Sequence, residues 1–365
     1  MAVNLTRKTV VAAATETTYG ADIEPALNTN AQTGGYTQLV YGDGASVWQG
    51  DTTMVDMPSL TPTMSPQSQL AGRSLSNVSL QTCLCQQTTT SEAASAIPYF
   101  DPLLQACGMD SDDSTPDSDF VQTYTPTSTM GETSNVRSAT IVDYQGGAVG
   151  AAAIETRATG VYLNADFNLT AGQAPTIQFA GQGKYVAPVN RAAVAATVYL
   201  PDTKVLVQSE SLTIQKNSAI DTPVGDTLTP ICRSIAFSTG NSIIERADVN
   251  SAEGLKGLQI ISRAPTLNLV IEAEDLLRTG AYVSAAASAD FYAGLKANTL
   301  HKLTFTHASG VAEVYTTFTF PNAQLTSVNL SDDGGIRVFN LAFALIGGTA
   351  GDNEYSIAFR TKGVS

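Results

Sequence analysis

Gly160–Tyr185 reads GVYLNADFNLTAGQAPTIQFAGQGKY. Val161, Leu163, Ala165, Phe167 and Leu169 alternate with Tyr162, Asn164, Asp166, Asn168 and Thr170, the period of two expected of a strand with one buried face. After TAGQA the chain returns with Ile177 and Phe179 against Thr176 and Gln178, so the stretch predicts an antiparallel hairpin. The pattern recurs. A slide of 161 positions lays Phe167–Phe179 (FNLTAGQAPTIQF) over Val328–Asn340 (VNLSDDGGIRVFN). A slide of 192 lays Arg73–Cys85 over Pro265–Leu277, so that Leu75, Asn77 and Val78 meet Leu267, Leu269 and Val270, and Phe100 and Leu103 meet Tyr292 and Leu295. Strand, helix and hairpin in one repeated order predict a duplicated β unit. The change of offset leaves the first copy 31 residues longer, read here as an acidic surface loop over about 109–135 that contains MDSDDSTPDSD (Met109–Asp119).

The expected fold is therefore mainly β, with two similar domains, each carrying a short helix. The first spans 1–187, with an N-terminal arm and the acidic insertion. A linker follows over 188–203, low in charge and bounded by Pro188 and Pro201, although Ala192–Leu200 also reads as an edge strand. The second domain spans 204–365. A chain of 365 residues suits two domains of about 150–180 residues each. Asp101-Pro102 through Gly108 reads as a short helix with Asp at the cap and Gly after the last turn. Its counterpart runs from Asp290 to Asn298, and a further helical turn covers Ala273–Thr279. Ile336–Ile346 carries apolar side chains on both faces, so cover on both sides is expected, by a second layer or by a subunit.

Composition narrows the function classes. Hydrophobic residues make up 43%, and no window approaches the ~18 apolar residues of a membrane-spanning helix. Arg7 and Lys8 precede only Val10–Ala14, short of the roughly 7–15 apolar residues of a signal peptide, so none is expected. The sequons at Asn4, Asn77, Asn168 and Asn329 then carry no weight. Cys83, Cys85, Cys107 and Cys232 read as reduced thiols at no zinc spacing. A net charge of −14 repels nucleic-acid phosphate and argues against a nucleic-acid-binding module. Charged residues are only 14%, which suits broad contact with protein partners.

A search for chemistry finds little. His301 and His307 lie six apart, on one face of a strand, and read as ordinary surface or interface residues. No Gly-x-Ser-x-Gly elbow occurs to supply a nucleophile. Gly181-Gln-Gly183-Lys184 lacks phosphate-loop spacing, and the run Asp110–Asp119 lacks the Gly and distal Glu of a calcium loop. No catalytic, cofactor or metal residue is assigned.

The opening Arg7–Gly20 (RKTVVAAATETTYG) resembles the N-terminus of the tail tube (major tail) proteins of long-tailed, non-contractile bacteriophages. The resemblance continues through PYFDPLLQACG (Pro98–Gly108), ATIVDYQGG (Ala139–Gly147), Gly160–Tyr185, RADVNSAEGLKGLQIISRAPT (Arg246–Thr266) and GIRVFNLAF (Gly335–Phe343), and so covers most of the chain. It implies β-sandwich or half-barrel domains, each with a flanking helix, assembled into rings that stack as a hollow tube. It also implies a virion location after assembly in the host bacterial cytoplasm. The implied partners are the tape-measure protein, the tail-tip and tail-terminator proteins, and DNA that passes through the lumen without specific binding. A single tail tube domain is about half this chain, so a homotrimeric, pseudo-hexameric ring is expected. Alternatives of the same fold class are a tail-tip ring protein and an all-β carbohydrate-binding adhesin; a tail-associated glycosidase is a third. Within this reading Thr6–Gly20 is expected to grip a neighbouring subunit, with Arg7, Lys8, Val10, Val11, Glu16 and Tyr19 making the contact.

Overall fold

The computed structural model describes residues 9–21, 37–39, 48–56, 64–65, 67–84, 97–114, 120–129, 138–145, 152–192, 206–207, 210–251, 254–273, 291–308 and 314–361. The N-terminal half holds β1 (Thr9–Thr15), β2 (Thr37–Leu39), β3 (Trp48–Val55), β4 (Leu70–Cys83), α1 (Asp101–Ala106), β5 (Met109–Ser114), β6 (Phe120–Pro126), β7 (Ala139–Gln145), β8 (Ala152–Thr170) and β9 (Thr176–Ala192). The C-terminal half holds β10 (Ser211–Ala219), β11 (Thr222–Leu228), β12 (Cys232–Ser238), β13 (Asn241–Ala247), β14 (Leu255–Arg263), β15 (Thr266–Glu272), α2 (Phe291–Lys296), β16 (Leu300–Ala308), β17 (Tyr315–Asp333), β18 (Ile336–Leu345) and β19 (Ser356–Thr361). The chain is mainly β. Its strands form one large antiparallel network, apart from the β13–β14 hairpin.

The pairings run in the same order twice. In the first half the order is β2–β1–β7–β8–β9–β4–β3. In the second it is β11–β10–β16–β17–β18–β15–β12. Even an irregularity recurs. Ala139 lies opposite Val161 and Ile141 opposite Ala158, so β8 carries one extra residue there. His301 lies opposite Ala323 and Leu303 opposite Phe320, which places the same bulge in β17.

The register corrects both sequence offsets: in the hairpins Leu330, not Val328, takes the place of Phe167, and Leu341, not Asn340, that of Phe179. Across the first half, Leu163, Gly181 and Val78 form one cross-strand row; across the second, Leu325, Phe343 and Leu267 do. Leu267 therefore corresponds to Val78, not to Leu75. Val78 faces the main core, whereas Leu75 packs on the opposite face with Tyr162 and Leu258. A slip of three residues inverts a strand's faces, and similar apolar content on both faces hid it from a sequence slide.

Three further expectations change. The described parts of the acidic insertion include two strands: β5 and β6 pair with each other, and β6 pairs onward with β19; residues 115–119 and 130–135 lie outside the description. Gln122, Tyr124 and Pro126 are buried on one face of β6, while Asp112 and Asp113 line the outer β5 edge, where charge discourages further pairing. The proposed linker begins as strand, since β9 runs to Ala192 opposite Ala152; residues 193–203 lie outside the description. In α1 the cap is Phe100, and Asp101 is the first helical residue, its carboxylate accepting from the Tyr124 hydroxyl at 2.6 Å and the Gln105 amide at 2.8 Å. α2 falls within the predicted 290–298, and the turn predicted for 273–279 lies almost wholly outside the described residues. On β18 the expected double cover is uneven: Phe339, Leu341, Phe343 and Leu345 are buried on one face, whereas on the other Val338 is buried, Ala342 and Ala344 are half-buried and Ile336 is exposed.

The main hydrophobic core is one continuous cluster drawing on both halves. Phe167 of β8 stacks on Phe237 of β12 with centroids 5.5 Å apart and meets Phe318 of β17 edge-on at 5.4 Å. Phe100 and Tyr124 both meet Phe359 of β19 edge-on at 5.7 Å. Contacts of this geometry contribute about 0.5–1.5 kcal/mol each beyond area burial. The halves are joined by core packing as well as by chain connectivity.

Candidate functional site

Of the residues expected to grip a neighbour, Val11, Glu16 and Tyr19 make contacts within their own chain. β1 pairs with β7 over its whole length, and Val11 and Ala13 are fully buried in the main core. Val10 lies in β1 opposite Tyr144; Arg7 and Lys8 lie outside the described residues. Glu16 is 1% exposed and accepts from Ser138 Oγ at 2.5 Å, Thr140 Oγ1 at 2.7 Å, Gly160 N at 2.7 Å and Gly20 N at 2.6 Å. Tyr19 accepts from Leu258 N at 2.6 Å, donates to Gly160 O at 3.2 Å and stacks on Tyr162 at 5.8 Å. Burial raises the Tyr19 hydroxyl's pKa well above the usual tyrosine value. The segment VVAAAT is apolar with small side chains, as suitable for an interior strand as for an arm. Its pairing partner β7 is in the same chain, and Val11, Glu16 and Tyr19 all make intrachain contacts, Val11 and Glu16 as buried residues.

Glu16 serves the bulge. An extra strand residue leaves a backbone N–H without a ladder partner, and the Glu16 carboxylate takes that of Gly160. At the bulge of the second half the side chains form a different network, one that donates to the bulge carbonyl. Asn217 Nδ2 donates to Pro321 O at 2.9 Å and Asn322 Oδ1 at 3.0 Å, while Asn322 Nδ2 donates to Asp221 Oδ1 at 2.6 Å. Thr15 pairs with Ala139 and Lys216 with His301, so Glu16 and Asn217 hold matching places one residue on. Sequence reading missed both nodes; the signal available was a Gly and a Pro-Asn interrupting otherwise regular alternation.

The joint between the halves is the most elaborate polar site described. β12 adds to the far end of β8, Phe237 opposite Phe167 and Ser238 opposite Asp166. Beyond the strand, Thr239 N donates to Ala165 O and Ala165 N to Thr239 Oγ1, each at 3.0 Å. Asn241 donates through Nδ2 to Cys107 O at 2.6 Å and Leu163 O at 3.0 Å. Arg263 of β14 donates to Thr127 O at 2.9 Å and pairs with Glu354 at 3.0 Å and with Asp352. Burial opposes the Asp352 carboxylate's charge, but hydrogen bonds from Ser128 and Arg263 outweigh it and hold the group below its usual range. Asn241, Thr127, Arg263 and Glu354 border a cleft of about 290 Å³ lined also by Gly108, Ser128 and Ile260. Arg263 already carries two carboxylate partners, so the cleft offers a ligand anion no uncommitted charge. A further tie comes from the Arg73–Glu245 ion pair, which fastens the β13–β14 hairpin to β4.

The remaining candidates do not assemble into a reacting group. His301 and His307 are both on β16 and buried, not at the surface as expected. Burial, then repulsion from Lys216, lowers the His301 pKa to about 4. His307 Nδ1 meets Glu210 at 2.6 Å. Gly181 and Gly183 lie within β9, and a Cβ on Gly181 would stand 2.0 Å from the Tyr162 carbonyl oxygen, so the Gly is there for strand packing. Cys83, Cys107 and Cys232 are free thiols, and burial pushes the Cys232 thiol up to about 12. Among the described residues no three His, Cys, Asp or Glu side chains converge as metal ligands, and no helix is long and apolar enough to cross a membrane. No protein-family model matches the chain, and no curated protein does either.

Proposed function

We propose that the chain is a structural, non-enzymatic virion protein, a tail tube protein of a long-tailed, non-contractile bacteriophage. On this reading each chain supplies two similar tail-tube-type β-sandwich or half-barrel domains, each with a short flanking helix. Three chains form a pseudo-hexameric ring, and rings stack into a hollow tube that holds the tape-measure protein and later passes DNA. The tail tip and tail terminator meet its two ends. The observation that carries the reading is the doubled pairing order with its doubled bulge, joined directly through β8 and β12. A chain built of two like units, one already seated on the other's strand edge, has the form needed to continue that seating around a ring.

Charge supports the same reading. A net −14 per chain suits a conduit that must not retain a polyanion, because basic groups would release counterions and hold the DNA at every ring. Negative-stain microscopy of the concentrated purified protein tests the proposal. Tubes are the expected result. Single rings favour a tail-tip ring protein, and monomers at every concentration reject assembly altogether. Duplex DNA added at low salt is expected to bind weakly; tight, salt-sensitive binding contradicts the conduit.

A further inference from the structure

Among the described residues, each half of the doubled pairing order leaves one strand edge unpaired. In the second half Phe237 of β12 lies opposite Leu267 on one side and opposite Phe167 of β8 on the other. Leu267 corresponds to Val78, and Val78 lies opposite Trp48. Trp48 thus holds in the first half the place of Phe237 in the second. The place of Phe167 can be found likewise. Phe167 lies opposite Ile177, and Leu330 opposite Phe339. Ile177 precedes Gly181 by four residues, as Phe339 precedes Phe343, so Leu330 is the counterpart of Phe167.

The counterparts of the two strands joined inside the chain are therefore β3 and the far end of β17. β3 pairs with β4 on one side; Leu325–Asp333 of β17 pairs with β18 on one side. Among the described residues no strand pairs with the second edge of either segment. Both segments are exposed: Gln49, Gly50, Asp51 and Thr52 on β3, and Asn329, Leu330 and Ser331 on β17. Leu330 is 41% exposed, whereas its counterpart Phe167 is fully buried beneath β12. Unpaired backbone along a strand edge seeks a strand, and the pairing that satisfies it is already written once within the chain.

We propose that β3 of one copy pairs antiparallel with β17 of a second copy, Trp48 opposite Leu330 and Gln49 opposite Asn329, the counterparts of Phe237–Phe167 and Ser238–Asp166. Leu330 then meets Trp48 as Phe167 meets Phe237. Because the two edges differ, the contact is head-to-tail, and it either closes a ring or grows without limit. The junction deepens the ring reading and rests on it only for closure at three chains.

Disulfide trapping tests it. Directly opposed strand residues have Cα atoms about 4.5–5.5 Å apart, within the ~4.4–6.8 Å a disulfide spans. The Gln49→Cys/Asn329→Cys variant is expected to give an interchain ladder ending at the trimer under mild oxidation. Gln49→Cys/Ser331→Cys, a diagonal pair at about 7–8 Å, is expected to cross-link at least tenfold less. Leu330→Lys is expected to abolish assembly by light scattering while leaving the melting temperature of the unassembled protein unchanged. An assembled protein that yields no disulfide from the opposed pair overturns the junction, as does undiminished assembly of Leu330→Lys. Cross-linked trimers that microscopy shows as isolated rings uphold the junction and sink the tail tube reading. Tubes that form without the cross-link do the reverse.

Discussion

The carboxylate of Glu16 accepts the backbone N–H of Gly160 at 2.7 Å, across 144 positions of chain. It ties the end of β1 to the bulge of β8, where Gly160 takes a positive φ of 61°. A Cβ at Gly160 would also stand 2.8 Å from the Tyr19 ring. The N-terminal segment thus completes the interior of the first half.

Glu16→Ala is expected to destabilise the unassembled protein by about 3 kcal/mol, because buried donors then lose their acceptor. Urea unfolding followed by circular dichroism reads the change. Deleting residues 1–20 is expected to be more severe, removing β1 from between β2 and β7 and leaving no folded monomer. A truncated protein that folds but does not assemble would favour the arm reading.

Gly181→Ala is expected to cost at least about 3 kcal/mol, since its Cβ would meet the fixed Tyr162 carbonyl and push β9 off β8. Gly172→Ala is the control. Gly172 has φ 75° with open space around it, so the backbone penalty alone, about 1 kcal/mol, is expected. Equal melting temperatures for the two variants would show that β9 can move away.

His301 predicts a pH dependence with a definite sign. Unfolded, the imidazole protonates near 6.5; folded, it stays neutral down to about 4. The folded state binds fewer protons in that window, so stability is full above pH 6.5 and falls as pH drops toward 4, by on the order of 3 kcal/mol. Asp101 and Asp143, whose burial raises their pKa values, act in the opposite sense as pH falls. Comparison with His301→Gln cancels them. The variant is expected to lose less stability between pH 6.5 and 4, measured by urea titration at each pH; parallel curves would contradict it.

Replacing Asp110–Asp119 with a short Gly/Ser loop is expected to lower the melting temperature of the unassembled protein by several degrees. The replacement removes most of β5, the outer partner of β6, and β6 carries buried Tyr124 and pairs with β19. A change of less than a degree would return the segment to the status of a surface loop.

Alternation alone made the β8–β9 hairpin legible. Val161, Leu163, Ala165, Phe167 and Leu169 are all buried, and Thr170–Thr176 is the observed turn region. The β17–β18 hairpin and both short helices were equally legible from local pattern. The β5–β6 hairpin was not. Its acidic strand is an exposed edge with no apolar face, so composition imitated a loop, and Gln122, Tyr124 and Pro126 show their burial only once β19 lies beside β6.

Strand period, turn residues and net charge are local or additive properties, so the mainly β character, the two hairpins and the acidic balance were legible in the residues alone. Register and partnership emerge only from the packed fold. It placed Leu267 with Val78 instead of Leu75, put Glu16 beneath the Gly160 bulge, buried both histidines and seated β12 on β8. The physical reason is that a strand's apolar face is written in its own residues, whereas the edge it pairs with is backbone, which every residue supplies alike. Which edges meet is settled by the whole fold's packing, here by an aromatic core shared between two halves that lie far apart in the chain.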